Sequence, residues 1–375
     1  MIYFDNAAST HPKPQSVIRA MSGWLHKNAA NAGRSGHKMS MEAAEMVYNT
    51  RVAVGDFFGV KKAEHVILVP GATYALNTVI LGLLKKGDHV ITTDLEHNSV
   101  LRPLWHLNKK SVDVTVVSVS FDDDEKTIEK IMRNINSRTK AIVCTQSSNV
   151  CGKILPIKQI AVRKPRNVCL IVDGSQGAGT LPINIVEDRI DYYCAPSHKG
   201  LMGPQGGGIL LLNNVAPKPL VLGGTGTEST NPEQPRELPE YLESGTLSTP
   251  ICVGMKAGIE FINRLGIEQS LKHKRALTEY AYDELRKLDN LELYMYPYKE
   301  SCIGVIPFNV RGMDSNKVVE YLDRNNICVR GGIHCSPLFH KRFGTIERGM
   351  VRVSFGCFNN DREVNELVRV LKKIN

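Results

Sequence analysis

Five short segments carry residue types that can do chemistry together. VPGAT (69–73) offers small residues at Ala72 and Thr73, whose backbone N–H groups could meet an anion at a helix N-terminus. DLEHNS (94–99) supplies His97, TQSSN (145–149) supplies Asn149, and IVDGSQGAG (171–179) supplies Asp173 and Gln176. APSHKG (195–200) brings Ser197, His198 and Lys199 in a row. Each segment alone has a plainer reading: a GAT turn caps a helix, an aspartate after an apolar run closes a turn, and a single histidine is usually structural. Lys199 resists it. It stands between histidine and glycine, with Gly203, Pro204 and Gly206–Gly208 following, so it does not belong to a solvated helical face. A lysine amine, a carboxylate and an anion site are together what a pyridine cofactor bearing an aldehyde and a phosphate requires.

A thiol joins the set. Nine cysteines are scattered along the chain, none in a CxxC pair and none with histidine at zinc-finger spacing, so no disulfide framework and no metal site are expected. Cys144, Cys169 and Cys194 lie in apolar runs, where cysteine acts as a small hydrophobe. Cys335 differs. It follows Gly331 and Gly332 and precedes Pro337, which predicts a loop, and Arg330, His334, His340, Lys341 and Arg342 are close in sequence. Nearby cations favour the thiolate, which is the reactive form, so Cys335 is expected to be a nucleophile.

The elements that must position these groups are legible as alternating apolar runs and helical patterns. Strands are expected at 65–70, 89–93, 114–119, 141–145, 168–173, 191–196 and 206–212, with helices near 73–84, 98–108 and 123–135 and another between 145 and 168. Unbroken β-branched runs indicate strands buried on both faces, and strands alternating with helices indicate a mainly parallel sheet. Ligands of such sheets sit beyond the carboxyl ends of the strands, which is where the five polar segments fall. Residues 223–245 read as a long Gly/Pro/Thr/Glu-rich loop, of the kind that is usually functional or disordered. A helical region near 251–289 follows. Strands at 303–309, 327–330 and 350–355, with helices at 315–324 and 360–373, then make an α+β unit.

Composition excludes several classes. With 375 residues, 42% hydrophobic and 23% charged, the chain has an ordinary globular make-up. No apolar run reaches the ~18–20 residues of a membrane span, and Met1 leads into YFDNAAST without a signal-peptide pattern, so a cytoplasmic location is expected. The net charge of +9 invites a nucleic-acid reading. Residues 323–352, however, hold six Lys/Arg against two acids, and this stretch contains Cys335 and Arg352. The charge is therefore better assigned to a small-molecule site, and no direct nucleic-acid or membrane partner is expected.

DNAAST, the GAT turn, EHNS, SSNVCG, VDGSQ, SHK and ESGT occur in order along the chain and resemble the class V pyridoxal-phosphate enzymes. Within them, RGGIHC (330–335) is similar to the cysteine segment of the cysteine desulfurase and selenocysteine lyase group. The resemblance implies an α/β, fold-type I PLP-dependent transferase. A large cofactor-binding domain (15–262) would carry a mainly parallel mixed sheet, and a smaller α+β domain (1–14 with 263–375) would carry the cysteine loop. It implies pyridoxal 5'-phosphate as cofactor and a homodimer with sites at the subunit interface. Lys199 would bond the cofactor aldehyde and move protons, Asp173 would pair with the ring nitrogen, Gln176 with the ring oxygen, and His97 would stack on the ring. Ala72, Thr73, Ser197 and His198 would hold the phosphate, with Thr246 reaching in from the partner subunit. Asn149, Arg330 and Arg352 would bind substrate, Arg352 forking onto its carboxylate. Cys335 would take the sulfur of L-cysteine as a persulfide, releasing L-alanine, and pass it to an acceptor, possible pathways including iron–sulfur cluster assembly.

Two departures stand out. Ser336 lies where relatives often carry alanine, and Ala72 where they often carry threonine. Three alternatives stay open on sequence: L-selenocysteine as substrate, an aminotransferase that leaves Cys335 idle, and a basic nucleic-acid-binding protein that would leave the Lys199 constellation unexplained.

Overall fold

The computed structural model describes residues 1–33, 35–295 and 301–374. Its strands are β1 (Ile2–Tyr3), β2 (Val66–Val69), β3 (His89–Thr93), β4 (Asp113–Val117), β5 (Thr139–Thr145), β6 (Cys169–Asp173), β7 (Tyr192–Pro196) and β8 (Gly208–Leu212), followed by β9 (Leu291–Leu293), β10 (Val305–Val310), β11 (Ile327–Cys328) and β12 (Val351–Ser354). A seven-stranded sheet runs in the order β2-β8-β7-β6-β5-β3-β4. Its pairings are parallel except those of β8, which is antiparallel to both β2 and β7. The expected mainly parallel mixed sheet is therefore present, and every residue of β2, β3, β6, β7 and β8 is buried.

Alternation along the strands feeds two cores. Ile91, Ile142, Leu170 and Val172 point to one face, against Val54 and Phe58 of the helix Lys38–Phe58. Val90, Val143 and Ile171 point to the other, against Ala75, Leu76 and Val79 of the helix Ala72–Leu83. A further core joins Phe4 to Leu277, Phe308, Leu322, Val353 and Leu367. There β10 pairs antiparallel with β9 and β12, and β1 pairs parallel with β11. The chain start is thus tied to the C-terminal third, which brings Asp5 beside Ser354.

The structure departs from the sequence reading in three places. The helical region near 251–289 is two helices, Thr249–Leu265 and Ile267–Leu285, broken at Gly266, whose φ of 81° a helix cannot use. The strand expected at 327–330 is cut to Ile327–Cys328, because Arg330 pairs with Arg352 through an isolated bridge. The helices Gln15–Lys27, Lys38–Phe58 and Pro337–Arg342, and β9, carry no expectation from the pattern. The long loop expected at 223–245 is present, without helix or strand, and its end is anchored. Glu243 takes both terminal nitrogens of Arg51 at 2.6 Å and the Leu68 N–H at 2.6 Å.

Candidate active site

The last residues of β5, β6 and β7 (Thr145, Asp173 and Pro196) open onto one cavity of about 860 Å3, as does His97 in the turn after β3. Ala72, Thr73, Asn149, Gln176, His198, Lys199, Arg330, Cys335 and Arg352 also line it. Groups separated by up to 280 residues in sequence therefore meet where the sheet topology predicts.

Lys199 follows β7 in a tight turn and is half-buried. Burial pushes its ammonium down to about 8; Asp173 opposes this, while Arg352 and Arg330 add to it. Asp173, 2% exposed, ends β6, and its Oδ1 accepts the Ser175 N–H at 2.9 Å. His97 caps the helix Asn98–Asn108, its Nδ1 accepting the Ser99 N–H at 3.0 Å. That bond leaves the ring proton on Nε2. Burial holds the imidazole below its ordinary range against Asp173, with Lys199 contributing, so His97 is neutral at neutral pH. The Ser99 hydroxyl lies 2.9 Å from His97 Nδ1 and 2.7 Å from Thr73 Oγ1, linking the histidine to the helix opening at Ala72.

That helix, Ala72–Leu83, starts at the cavity, and its first-turn N–H groups have no partner within the helix. Gln176 donates to the Ala7 carbonyl at 2.9 Å, drawing the chain start over the site. Among the described residues, three buried polar atoms of cavity residues lack partners: His198 Nδ1, His334 Nδ1 and Arg352 Nε. Arg352 is 2% exposed and held by Asp5 at 2.6 Å and the Asn149 carbonyl at 2.9 Å. A guanidinium fixed this way keeps N–H donors to spare beside the lysine.

Two residues lie elsewhere. Ser197 does not line the cavity; its hydroxyl turns to the backbone, donating to the Gly207 carbonyl at 3.0 Å and also meeting that of Pro204. Thr246 is exposed and borders an adjoining cavity with Tyr74, Gly206 and Gly207.

Cys335 is the one exposed cysteine of the nine, and all nine are free thiols. The flanking cations expected from the sequence mostly do not face it. His334 and His340 are neutral, the first pushed well down by burial and Arg352, the second to about 4 by burial. Arg342 is paired with Asp94 at 3.0 Å and lies over Phe121. The cations that remain at the cavity beside Lys199 are Arg330 and Arg352. The loop itself is held by backbone and amide contacts: the Asn98 N–H donates to the Cys335 carbonyl at 2.7 Å, and Asn149 Nδ2 donates to the His334 carbonyl at 2.8 Å. The Asn149 amide is therefore committed to this loop.

Sequence reasoning passed over Asp5, Asn98 and Glu96. Asp5 opens the DNAAST segment, but nothing local says it will meet Arg352, 347 residues away. Glu96 is fully buried, its Oε1 taking the Thr93 hydroxyl at 2.6 Å and the Thr145 N–H at 3.0 Å. Burial pushes this carboxyl up to about 8, the two hydrogen bonds opposing, so it holds a proton at neutral pH.

The profile of the aminotransferase class-V family matches residues 2–367. A Pyrococcus abyssi protein named "Probable cysteine desulfurase" is 32% identical over 388 residues, covering 100% of this chain and 94% of its own. One of the same name from Methanothermobacter thermautotrophicus is 30% identical over 385 residues, again covering 100% and 94%. Among solved structures, the apo structure of a cysteine desulfurase from Thermococcus onnurineus NA1 superposes with a TM-score of 0.91 at 30% identity, covering 99% of this chain and 94% of that one. With the sheet, the lysine turn and the cysteine loop in place, and a family match along nearly the whole chain, this protein belongs to the aminotransferase class-V family of fold-type I enzymes.

Proposed function

We propose that the chain is a cysteine desulfurase that converts L-cysteine to L-alanine and takes the sulfur onto Cys335 as a persulfide for delivery to an acceptor. The observation that carries this reading is that the one exposed thiol, Cys335, lines the same cavity as Lys199, Asp173 and Arg352. Full-length relatives named for that activity support it.

The cofactor proposed is pyridoxal 5'-phosphate, and the residues fit it. A lysine with a lowered pKa, a buried carboxylate, an open helix N-terminus and the orphaned His198 Nδ1 surround one space. When bound, it supplies the electron sink that makes a substrate α-proton acidic. The first-turn N–H groups at Ala72 and Thr73, with His198, would hold the phosphate, and Asp173 would keep the ring nitrogen protonated. Thr246, exposed and outside its own chain's cavity, suits a role in a homodimer, reaching the neighbouring phosphate.

Around that group the chain's own residues do the rest. Arg352 fixes the substrate carboxylate with its spare N–H donors, while Asp5 and the Asn149 carbonyl hold the guanidinium in place. Lys199, close to neutrality in its proton affinity, can take a proton from the α-carbon and return one. His97, neutral with its proton on Nε2, can donate to the ring oxygen or the departing group. Cys335 then receives sulfur: the substrate carbon–sulfur bond breaks, a sulfur–sulfur bond forms, and the thiol proton is passed on, so that L-cysteine and the thiol become L-alanine and the persulfide. We assign residues 15–262 to the cofactor-binding domain, and 1–14 with 263–375 to the domain carrying Cys335. A cytoplasmic setting fits free thiols and the absence, among the described residues, of a helix long and apolar enough to cross a membrane.

The test is stoichiometry. The yellow holoenzyme should turn L-cysteine and a reductant into equal amounts of alanine and sulfide, and the same protein bleached by borohydride should not. A keto acid in place of alanine would overturn the reading.

A further inference from the structure

We infer that Ser336 is a positioning residue that, through Asn149, latches the Cys335 loop with its thiol toward the cavity; this inference rests on the desulfurase reading. Ser336 is 0% exposed, and its hydroxyl donates to Asn149 Oδ1 at 2.7 Å. The amide orientation is set on its other side, because the His334 carbonyl can only accept. Nδ2 therefore faces that carbonyl, donating at 2.8 Å, and Oδ1 is left toward Ser336 to accept its hydroxyl. One amide thus grips the loop on both sides of Cys335, and the Asn98 N–H holds the Cys335 carbonyl between them at 2.7 Å.

The loop needs such a grip. His334 and Cys335 sit at φ 52° and 57°, in the left-handed region that non-glycine residues rarely adopt. A segment in that conformation persists where its surroundings over-determine it, and Asn149, 8% exposed at the end of the TQSSN turn, is a rigid anchor for it. The His334 ring adds one bond within the loop, its Nε2 donating to the Arg330 carbonyl at 3.3 Å, while its Nδ1 is buried without a partner. Ser336 makes the amide a two-sided clamp, where alanine would leave the buried Oδ1 unpaired and the loop held on the His334 side alone.

The test uses the holoenzyme and Ser336→Ala, Asn149→Ala and the double variant. Cys335 is alkylated with iodoacetamide in the absence of substrate and quantified by peptide mass spectrometry, and sulfide release from L-cysteine is measured in parallel. Loss of one buried hydrogen bond should speed alkylation about fivefold in Ser336→Ala and lower kcat about fivefold, with KM within about twofold of the wild type. Asn149→Ala should speed alkylation at least as much, and the double variant should match Asn149→Ala alone, since Ser336 has nothing to act through once the amide is gone. Wild-type alkylation and kcat in Ser336→Ala would overturn the inference, as would additive losses in the double variant. A wild-type enzyme that releases no sulfide would instead overturn the desulfurase reading, while the alkylation series would still decide the latch.

Discussion

Replacing Lys199 by methionine keeps the side-chain volume and removes the charge, and should make the cofactor-free protein more stable at pH 7. The folded state holds this ammonium at a proton affinity near 8, against 10.5 when unconstrained, mainly because of burial. Below pH 8 the protein therefore carries a charge that water would solvate better. At about 1.36 kcal/mol per pH unit this amounts to about 3 kcal/mol, and water at the cavity mouth trims it to about 2–3. Between pH 8 and 10.5 the unfolded chain binds more protons at this site than the folded one, so wild-type stability rises with pH there. Urea unfolding of both proteins, stripped of cofactor, at pH 7 and pH 10 gives the comparison. The advantage of Lys199→Met should be about 2–3 kcal/mol at pH 7 and shrink below about 1 kcal/mol at pH 10. A gap that does not change with pH would refute the claim that burial depresses Lys199. The same variant should show no turnover, since the group that destabilises the fold is the one assigned the proton transfers.

Other consequences are as direct. Arg352→Lys loses the fork onto the substrate carboxylate, and losing about one charge-assisted hydrogen bond should lower kcat/KM for L-cysteine roughly 10- to 100-fold; a change under threefold would remove Arg352 from substrate binding. Arg51→Met strands Glu243, whose side chain is 7% exposed, and should cost about 3 kcal/mol in urea unfolding, whereas Arg51→Met with Glu243→Leu should recover most of it. Glu96→Gln mimics the protonated acid. Because a raised carboxyl stabilises the fold at low pH and loses that contribution as pH rises toward about 8, the variant should gain on the wild type from pH 5 to 8, and a constant difference would mean Glu96 is ionised.

The large sheet was legible because its strands are short, unbroken apolar runs buried on both faces, and the site was legible because chemistry falls at their carboxyl ends. The runs at 89–93 and 168–173 match β3 and β6 closely, and His97 and Asp173 lie where those strands end. What escaped was long-range. β1 is two residues with no periodicity of their own, and its place is fixed by β11, more than 320 residues away. Asp5 on Arg352 and Glu243 on Arg51 are likewise pairs that no local spacing announces. The charge around Cys335 was misread for a related reason: proximity in sequence put His334, His340 and Arg342 beside the thiol, but burial neutralises the first two and Asp94 holds the third. Ser197 was named from its place in the SHK segment, yet the backbone turn before Gly203 points its hydroxyl at carbonyls.

The central claim is that Cys335 is the atom-accepting group, and one measurement addresses it directly. Holoenzyme is mixed with an equal amount of L-cysteine without reductant, trapped with an alkylating agent, and digested for mass spectrometry. The peptide containing Cys335 should gain the mass of one sulfur atom in step with alanine formation, and Cys335→Ser should yield neither. Alanine and sulfide produced at the wild-type rate by Cys335→Ser, or the extra sulfur on any other of the nine cysteines, would contradict the account.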